Sequence, residues 1–582
     1  LQPGHRYEGV TYKQCLPKAA FKEFGCILDE NHRYHLKIPR YIHYDYFKNH
    51  LVCAKQQHVR KIAAVQILPL LKNVPKVIFY ENCKAVMLNA ARRHATAVCG
   101  PSPLFMTNLW KFFNDTILPE WMDILCDFKY SESVWKNHLT RKQQRLIEKV
   151  ELSFDDLSKR FVNNFPKGEK QLTTFLDTNF YVKNDKCAYP KTRAISALNE
   201  HHKKVLGPVM YALEQYSKRA FGYCGGKSWA QLATELNKAK MRDLTKLIQT
   251  DISGMDRSVK LDLVRMSETI LIALSHKVYH VDIDTYLKHV NIVYTKVFNV
   301  IYDPDRTDLG HIDIFATVFS GMVGTTWVNS FIEIILKRYT MERLLGLSKD
   351  DYMLKVKSDD SFINAPNHLS NEEILQAFRT VYYLAEQTDH YLAPLYLKHG
   401  SGLTLKFLSV SDTIEDCDFI STNAFYCEEC VTFRFIRKLN RFVLLTPWSE
   451  KFVNVPLKMR ASYLKELYIS NNTWCRGLPI FDQLNSYLNV NTSKRFSTTG
   501  KAKKIFPLTA EETAWKNELF SDYVPVDYSM PQCYNIGSLP SKCCANSFKR
   551  WLCERTQLTS SDIDDITKSL ENITSETYEN EQ

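Results

Sequence analysis

The stretch Tyr352-Met353-Leu354-Lys355-Val356-Lys357-Ser358-Asp359-Asp360-Ser361-Phe362-Ile363 decides how the rest of the chain is read. An apolar strand-like run and a second apolar stretch flank a short polar turn, a pattern that predicts a hairpin with paired acids at its tip. Adjacent carboxylates repel one another, and a divalent cation is the counter-charge that would relieve them. Taken alone, the same residues also read as a turn that merely favours aspartate.

Three other segments change that balance. Upstream, Leu247-Ile248-Gln249-Thr250 reads as a strand that delivers Asp251 to a sheet edge, with Asp256 five residues on, where a helix begins. One carboxylate could hold a metal and the other could face a sugar, although Asp256 also suits a helix N-cap. Between the two acidic segments, Ser320-Gly321-Met322-Val323-Gly324 is a glycine-bearing loop that launches a helix near Thr325. The apolar face of that helix is carried by Trp327, Phe331, Ile334, Ile335 and Tyr339. Thr325 and Asn329, four apart, share another face beside Ser320, so three neutral hydrogen-bonding groups converge. The pattern S-G-x3-T-x3-N would arise by chance in well under ~1% of chains of this composition. Further upstream, Lys183, Lys186, Lys191 and Arg193 sit among apolar and aromatic neighbours between Tyr181 and Ile195. Such a cluster could clamp a triphosphate, and it equally suits a basic surface strand.

Composition sets the frame. The 582 residues are 45% hydrophobic, 12% aromatic and 24% charged, which excludes a disordered chain and predicts about two to four subdomains. The net charge of +12 permits a polyanionic partner. Sixteen scattered cysteines are too sparse for a disulfide scaffold, so reduced thiols are expected. No internal repeat, signal peptide or uncharged apolar run of about 18 residues is present in the sequence, so no transmembrane segment is expected. Leu1 in place of an initiating Met leaves two readings open, a processed product or an excised part of a longer polyprotein.

In chain order, the basic segment, Asp251/Asp256, Ser320/Thr325/Asn329 and Asp359/Asp360 resemble motifs F, A, B and C of the palm-domain RNA-directed RNA polymerases of positive-strand RNA viruses. Ser358 stands where most of that family has Gly, although some of its members, the nidoviruses among them, also have Ser. The resemblance runs from about Tyr181 to Lys438. It implies an α+β right-hand fold, with fingers, a palm of antiparallel sheet and helices, and a helical thumb. It also implies nucleotidyl transfer from NTPs with two Mg²⁺ ions, for which Mn²⁺ may substitute, held by Asp251, Asp359 and Asp360. By the same likeness Asp256, Ser320, Thr325 and Asn329 would recognise the ribose 2′-hydroxyl. Lys183, Lys191 and Arg193 would line the nucleotide channel, with Lys186 a substitute for Lys183. Gly402-Leu403-Thr404-Leu405-Lys406 resembles motif D, making Lys406 the candidate acid for the leaving pyrophosphate and Lys398 its rival.

Phe419 to Tyr426 and Val431 to Ile436, joined by Cys427-Glu428-Glu429-Cys430, read as two strands and a turn and resemble the primer-gripping motif E. This C-x-x-C lacks a second pair at zinc-site spacing, so its cysteines read as turn thiols. Gly222-Tyr223-Cys224-Gly225-Gly226-Lys227-Ser228 ends like a phosphate loop, but Phe221 replaces the first glycine and no ATPase site is expected.

The implied organisation is 1–165 N-terminal extension and fingers, 166–240 fingers with the basic motif, 241–262 palm, and 263–315 fingers insertion. It continues with 316–411 palm, 412–438 primer-grip hairpin, 439–554 thumb and 555–582 acidic flexible tail; 491–504 reads as a loop. Expected partners are template and nascent RNA, NTPs and other viral replication proteins, in a host-cytoplasmic complex that reaches membranes through those partners. A reverse transcriptase and a catalytically silent RNA-binding scaffold are the rival readings. The first is disfavoured because no aromatic residue lies in Ile252-Ser253-Gly254-Met255-Asp256, where such enzymes place a bulky gate against ribonucleotides.

Overall fold

The computed structural model describes residues 26–28, 34–37, 63–64, 99–150, 178–182, 194–198, 200–278, 298–302, 310–314, 318, 321, 323–384, 397–439, 441–442, 448–449, 466–472, 474–486, 509–519 and 542–579. Within them the chain is a mixed α/β structure. Its strands, in order, are β1 (Cys26–Leu28), β2 (Tyr34–Lys37), β3 (Ala63–Ala64), β4 (Thr178–Val182), β5 (Ala194–Leu198), β6 (Lys246–Ile252), β7 (Phe298–Tyr302) and β8 (Gly310–Ile314). They continue with β9 (Met353–Lys357), β10 (Asp360–Ala365), β11 (Tyr383–Leu384), β12 (Thr404–Ser411), β13 (Asp418–Phe419), β14 (Thr422–Cys427), β15 (Thr432–Arg437) and β16 (Trp448–Ser449).

A five-stranded sheet in the order β11-β12-β6-β10-β9 forms the centre. Its pairings are antiparallel except β11 with β12, so the sheet is mixed where a purely antiparallel one was expected. The parallel pair arises because β11 follows the helix Asn371–Val381 and the chain reaches β12 only after a long connection. Six other strands form a second sheet, β1-β2-β8-β7-β4-β5, and β13-β14-β15 form a third.

β6 is flanked on both edges, and all of its residues except Asp251 are buried. Its inward polar groups are therefore paired: Gln249 Nε2 donates to the Asp418 carbonyl at 2.7 Å, and the Thr250 and Ser361 hydroxyls meet at 3.0 Å across β6 and β10.

The helix Thr325–Arg338 starts where the sequence places it, capped by Gly324 in the left-handed conformation at φ 80°. A side chain there would collide with Met210, so glycine is required both by the backbone and by the space. The predicted apolar face is buried, with Trp121 and Trp327 packed on Phe331 at ring separations of 4.8 and 4.9 Å. From Trp327 onward the whole helix is buried. It is a central strut rather than an amphipathic surface helix, and its charged residues Glu333, Lys337 and Arg338 have internal ion-pair partners. Arg338, for example, is held by Glu120 and Glu342.

The near-phosphate-loop segment runs beside β9, where Cys224 N–H donates to Val356 O and Val356 N–H donates to Gly222 O. Lys227 pairs with Glu235, and Ser228 caps the next helix with Gln231. The two residues a nucleotide would need are thus engaged in structural roles.

The acidic stretch expected as a flexible tail instead contains a helix, Ser560–Glu579. Asp562 accepts from the Thr559 backbone while Thr559 Oγ1 accepts from Asp562 N–H, a reciprocal cap, and Ile563 is fully buried. Ile563 and Leu570 anchor it, while Asp562, Asp564, Asp565 and Glu571 face solvent. Residues 491–504 lie outside the described residues. No helix among the described residues is long and apolar enough to cross a membrane.

β9 and β10 close through the two-residue loop Ser358-Asp359, since Lys357 pairs with Asp360. Ser358 has φ 58°, a conformation that costs a non-glycine residue about 1–2 kcal/mol. Its N–H donates to Ser330 Oγ at 2.8 Å, and Ser330 in turn donates to Thr326 O. Ser330→Ala removes the acceptor and is expected to destabilise the protein by about 1–3 kcal/mol. Chemical denaturation checks this, and an unchanged midpoint contradicts it.

Candidate active site

The β6–β10 register sets Asp251 directly opposite Asp360, and the tight loop brings Asp359 to the same end of the sheet. The three acids singled out in the sequence therefore share one sheet edge. Burial pushes the Asp360 carboxyl up to about 6, and repulsion from Asp359, Asp251 and Asp418 adds to it, while Lys357 partly offsets the rise.

Lys406 belongs to the same group. β12 carries a bulge between Leu405, opposite Ile252, and Phe407, opposite Asp251. The extra residue is Lys406, whose Nζ lies 2.9 Å from Asp251 Oδ2. Gly402, before this strand, has φ 78°, and a Cβ would lie 2.8 Å from the Pro101 backbone, so the approach to β12 depends on glycine. The Lys406 side chain is 67% exposed, so this ion pair is worth at most about 1 kcal/mol and is readily exchanged for another partner. Lys398, the rival, lies at the bridge with Gly100 and outside this cluster of contacts.

Two neighbours were not legible in the sequence. Asp418, on β13, adds to the field on Asp360 and is paired with Lys438. It follows β10 by more than fifty residues, and only the third sheet's position beside β10 brings it close.

Beneath the acids lies a buried polar chain. Lys337 Nζ donates to Thr250 Oγ1 at 2.8 Å and lies 3.3 Å from Glu333. Tyr382 donates to Glu333 at 3.5 Å, and its ring lies 4.2 Å under the Lys337 ammonium. Glu333 and Lys337 are both fully buried, so desolvation raises the carboxyl and lowers the ammonium, each resisted by the other; Asp359 raises Glu333 further. Ser330, Glu333 and Lys337 fall at i, i+3 and i+7, so one helix face supports both the acidic loop and the strand behind it.

Thr325 and Asn329 lie at the start of the same helix. Asn329 is buried, and its Oδ1 has no hydrogen-bond partner among the described residues, an acceptor at a cost that a ligand donor would remove. Asp256 is the second residue of the short helix Met255–Ser258, capped by Gly254 rather than by Asp256; its side chain lies outside the described residues. Ser320, Lys183, Lys186, Lys191 and Arg193 also lie outside them.

The donor set, three carboxylates at one edge of the sheet, suits a hard divalent cation. Their oxygens do not all lie within 4.8 Å of one another; among the described residues only a set of three cysteine thiols does so. The chain matches no known family model and no curated protein.

Because the Asp360 pKa is raised, its contribution to stability is full below the ordinary carboxylate range and is lost as pH rises through about 6. Mg²⁺ should therefore raise the melting temperature more at pH 7.5 than at pH 5, and Asp360→Asn should abolish the difference. An equal shift at both pH values in the unsubstituted protein contradicts the assignment.

Proposed function

We propose that the chain is an RNA-directed RNA polymerase that extends RNA from NTPs and releases pyrophosphate, as in the replication or transcription of a viral RNA genome. The observation that carries the reading is the pairing of Asp251 with Asp360 beside the Ser358-Asp359 loop, on a sheet backed by the helix that begins at Thr325. In this reading the central sheet is the palm of a right-hand fold, β14–β15 the primer-grip hairpin, and the helix Lys542–Arg555 part of the thumb.

Asp251, Asp359 and Asp360 would hold two Mg²⁺ ions, which supply Lewis acidity for the attacking 3′-hydroxyl and charge neutralisation for the pyrophosphate. The chain's own groups do the rest. Ser330 fixes the loop that carries Asp359, and the Thr250–Ser361 pair fixes the strands that carry the other two acids. Lys406 is held by Asp251 without nucleotide and becomes available to protonate the departing pyrophosphate oxygen once that carboxylate is otherwise engaged. The unpartnered Asn329 Oδ1 accepts a hydrogen bond from the ribose 2′-hydroxyl, with Thr325, Asp256 and Ser320 around it. Lys183, Lys191 and Arg193 neutralise the triphosphate, and phosphate contacts hold template and product RNA with little reading of base sequence.

The test is extension of an RNA primer on an RNA template with Mg²⁺ and NTPs, run in parallel with dNTPs. Extension with NTPs is expected, abolished by Asp359→Asn with RNA binding retained, while Asn329→Leu narrows the preference for NTP over dNTP by at least ~10-fold. Unchanged turnover by Asp359→Asn overturns the metal assignment. A preference for dNTPs in the unsubstituted protein would reassign the chain to DNA synthesis.

A further inference from the structure

The turn between β14 and β15 carries Cys427 and Cys430, and the fold brings a third thiol to them from more than a hundred residues away. Cys544, on the helix Lys542–Arg555, has its Sγ 3.4 Å from Cys427 Sγ and 3.4 Å from Cys430 Sγ. All three sulfurs lie within 4.8 Å of one another. We propose that Cys427, Cys430 and Cys544 form a structural zinc site that clamps the β14–β15 hairpin to the C-terminal helix, with the Glu429 carboxylate as the fourth ligand.

Distance favours a metal over the alternatives. A disulfide needs sulfurs about 2.05 Å apart. Sulfurs bound to one tetrahedral Zn²⁺ at about 2.3 Å are separated by about 3.8 Å, which the two separations from Cys544 approach within a few tenths of an ångström.

The second observation is a hydrogen bond. Cys430 N–H donates to Cys427 Sγ at 3.4 Å, so the turn already aims a backbone dipole at a sulfur, an arrangement that stabilises a thiolate. A third concerns the polar rim. Glu429 Oε2 lies 3.3 Å from Cys427 Sγ and is held by the Ser547 hydroxyl, and Glu428 N–H donates to Ser547 Oγ at 3.4 Å. Cysteines that merely fill a core would have apolar neighbours on every side. Here Cys427 and Cys544 belong to the apolar cluster of Phe425 and Phe548, while Cys430 is exposed and Cys427 also meets the Glu429 carboxylate.

Charge is consistent with this. The buried, positively charged Arg434 side chain acts electrostatically on Cys544. Zn²⁺ binding converts three thiols to thiolates and releases three protons, with no change of oxidation state. The thiolate-rich centre is net negative, and Arg434 is the counter-charge on β15. The pair Arg550–Glu428 at 2.8 Å fastens the same helix to the same turn from outside. Isolation in sequence hid the site, because the two halves lie 114 residues apart between Cys430 and Cys544.

The full chain, purified under reducing conditions and stripped with a chelator, is titrated with Co²⁺ and then with Zn²⁺. The expected result is a thiolate-to-cobalt absorption band saturating at about one equivalent and erased by Zn²⁺. Alkylation followed by mass spectrometry should show Cys427, Cys430 and Cys544 protected by Zn²⁺, while the exposed Cys126 reacts equally with and without it. Cys544→Ser should lose the band. Absence of the band in the unsubstituted protein, equal alkylation with and without Zn²⁺, or recovery of two of the three cysteines as a disulfide after oxidant-free handling overturns the proposal. Both readouts on the unsubstituted chain stand even if the variant fails to fold, and neither depends on polymerase activity.

Discussion

The structure turns on a repulsion that the fold creates. Antiparallel pairing of β6 with β10 sets Asp251 against Asp360, a two-residue loop adds Asp359, and a third sheet adds Asp418 to the same field. Carboxylates crowded in this way oppose folding unless something positive meets them. Lys406, Lys357 and Lys438 each meet part of the charge, and all three sit at the rim, where they can be displaced. Below the rim the fold is rigid. Ser330 secures the strained loop, and Lys337 links Glu333 to Thr250 in a dry interior. Loss of one member of such a buried pair generally costs about 3–5 kcal/mol, because the remaining charge stays behind. A soft, exchangeable rim on a stiff base is what a site that takes up and releases charged ligands requires.

Much of this was legible in the sequence where local pattern sets local structure. The strand before Asp251, the hairpin around Asp359 and Asp360 and the helix start at Thr325 lie within a residue or two of their expected positions, and in the hairpin beyond them β15 does so while β14 starts three residues late because Phe419 belongs to β13. Each is announced by apolar periodicity broken by glycine or by a polar turn. The failures have a shared cause. Asp418, Lys438, Glu333, Lys337 and Cys544 matter through contacts between distant segments, and no local pattern marks them. Glu333 and Lys337 in particular lie off the apolar face that the sequence marks, yet the helix is buried from Trp327 to Arg338. The C-terminal helix was missed for the opposite reason. Its acidic composition outweighed the sparse apolar spacing of Ile563 and Leu570, which is enough to dock one face.

The two proposed metal sites separate by ligand chemistry. Carboxylates at the edge of the central sheet suit a hard ion that leaves with product, whereas thiols between the hairpin and the C-terminal helix suit a softer ion that stays. The hairpin links them. β13, which carries Asp418, pairs with β14, and β14 ends at Cys427. A clamp at Cys427 would therefore steady the strand that shapes the rim of the acidic site.

The central claim is that Asp251, Asp359 and Asp360 together bind divalent metal for chemistry on a nucleotide. The most direct measurement is a crystal structure with RNA, a non-hydrolysable NTP and Mn²⁺, read at the manganese anomalous edge. The account predicts anomalous peaks bridging these three carboxylates and the triphosphate, with Lys406 released from Asp251. Manganese absent from the carboxylates while the nucleotide is bound elsewhere would contradict it.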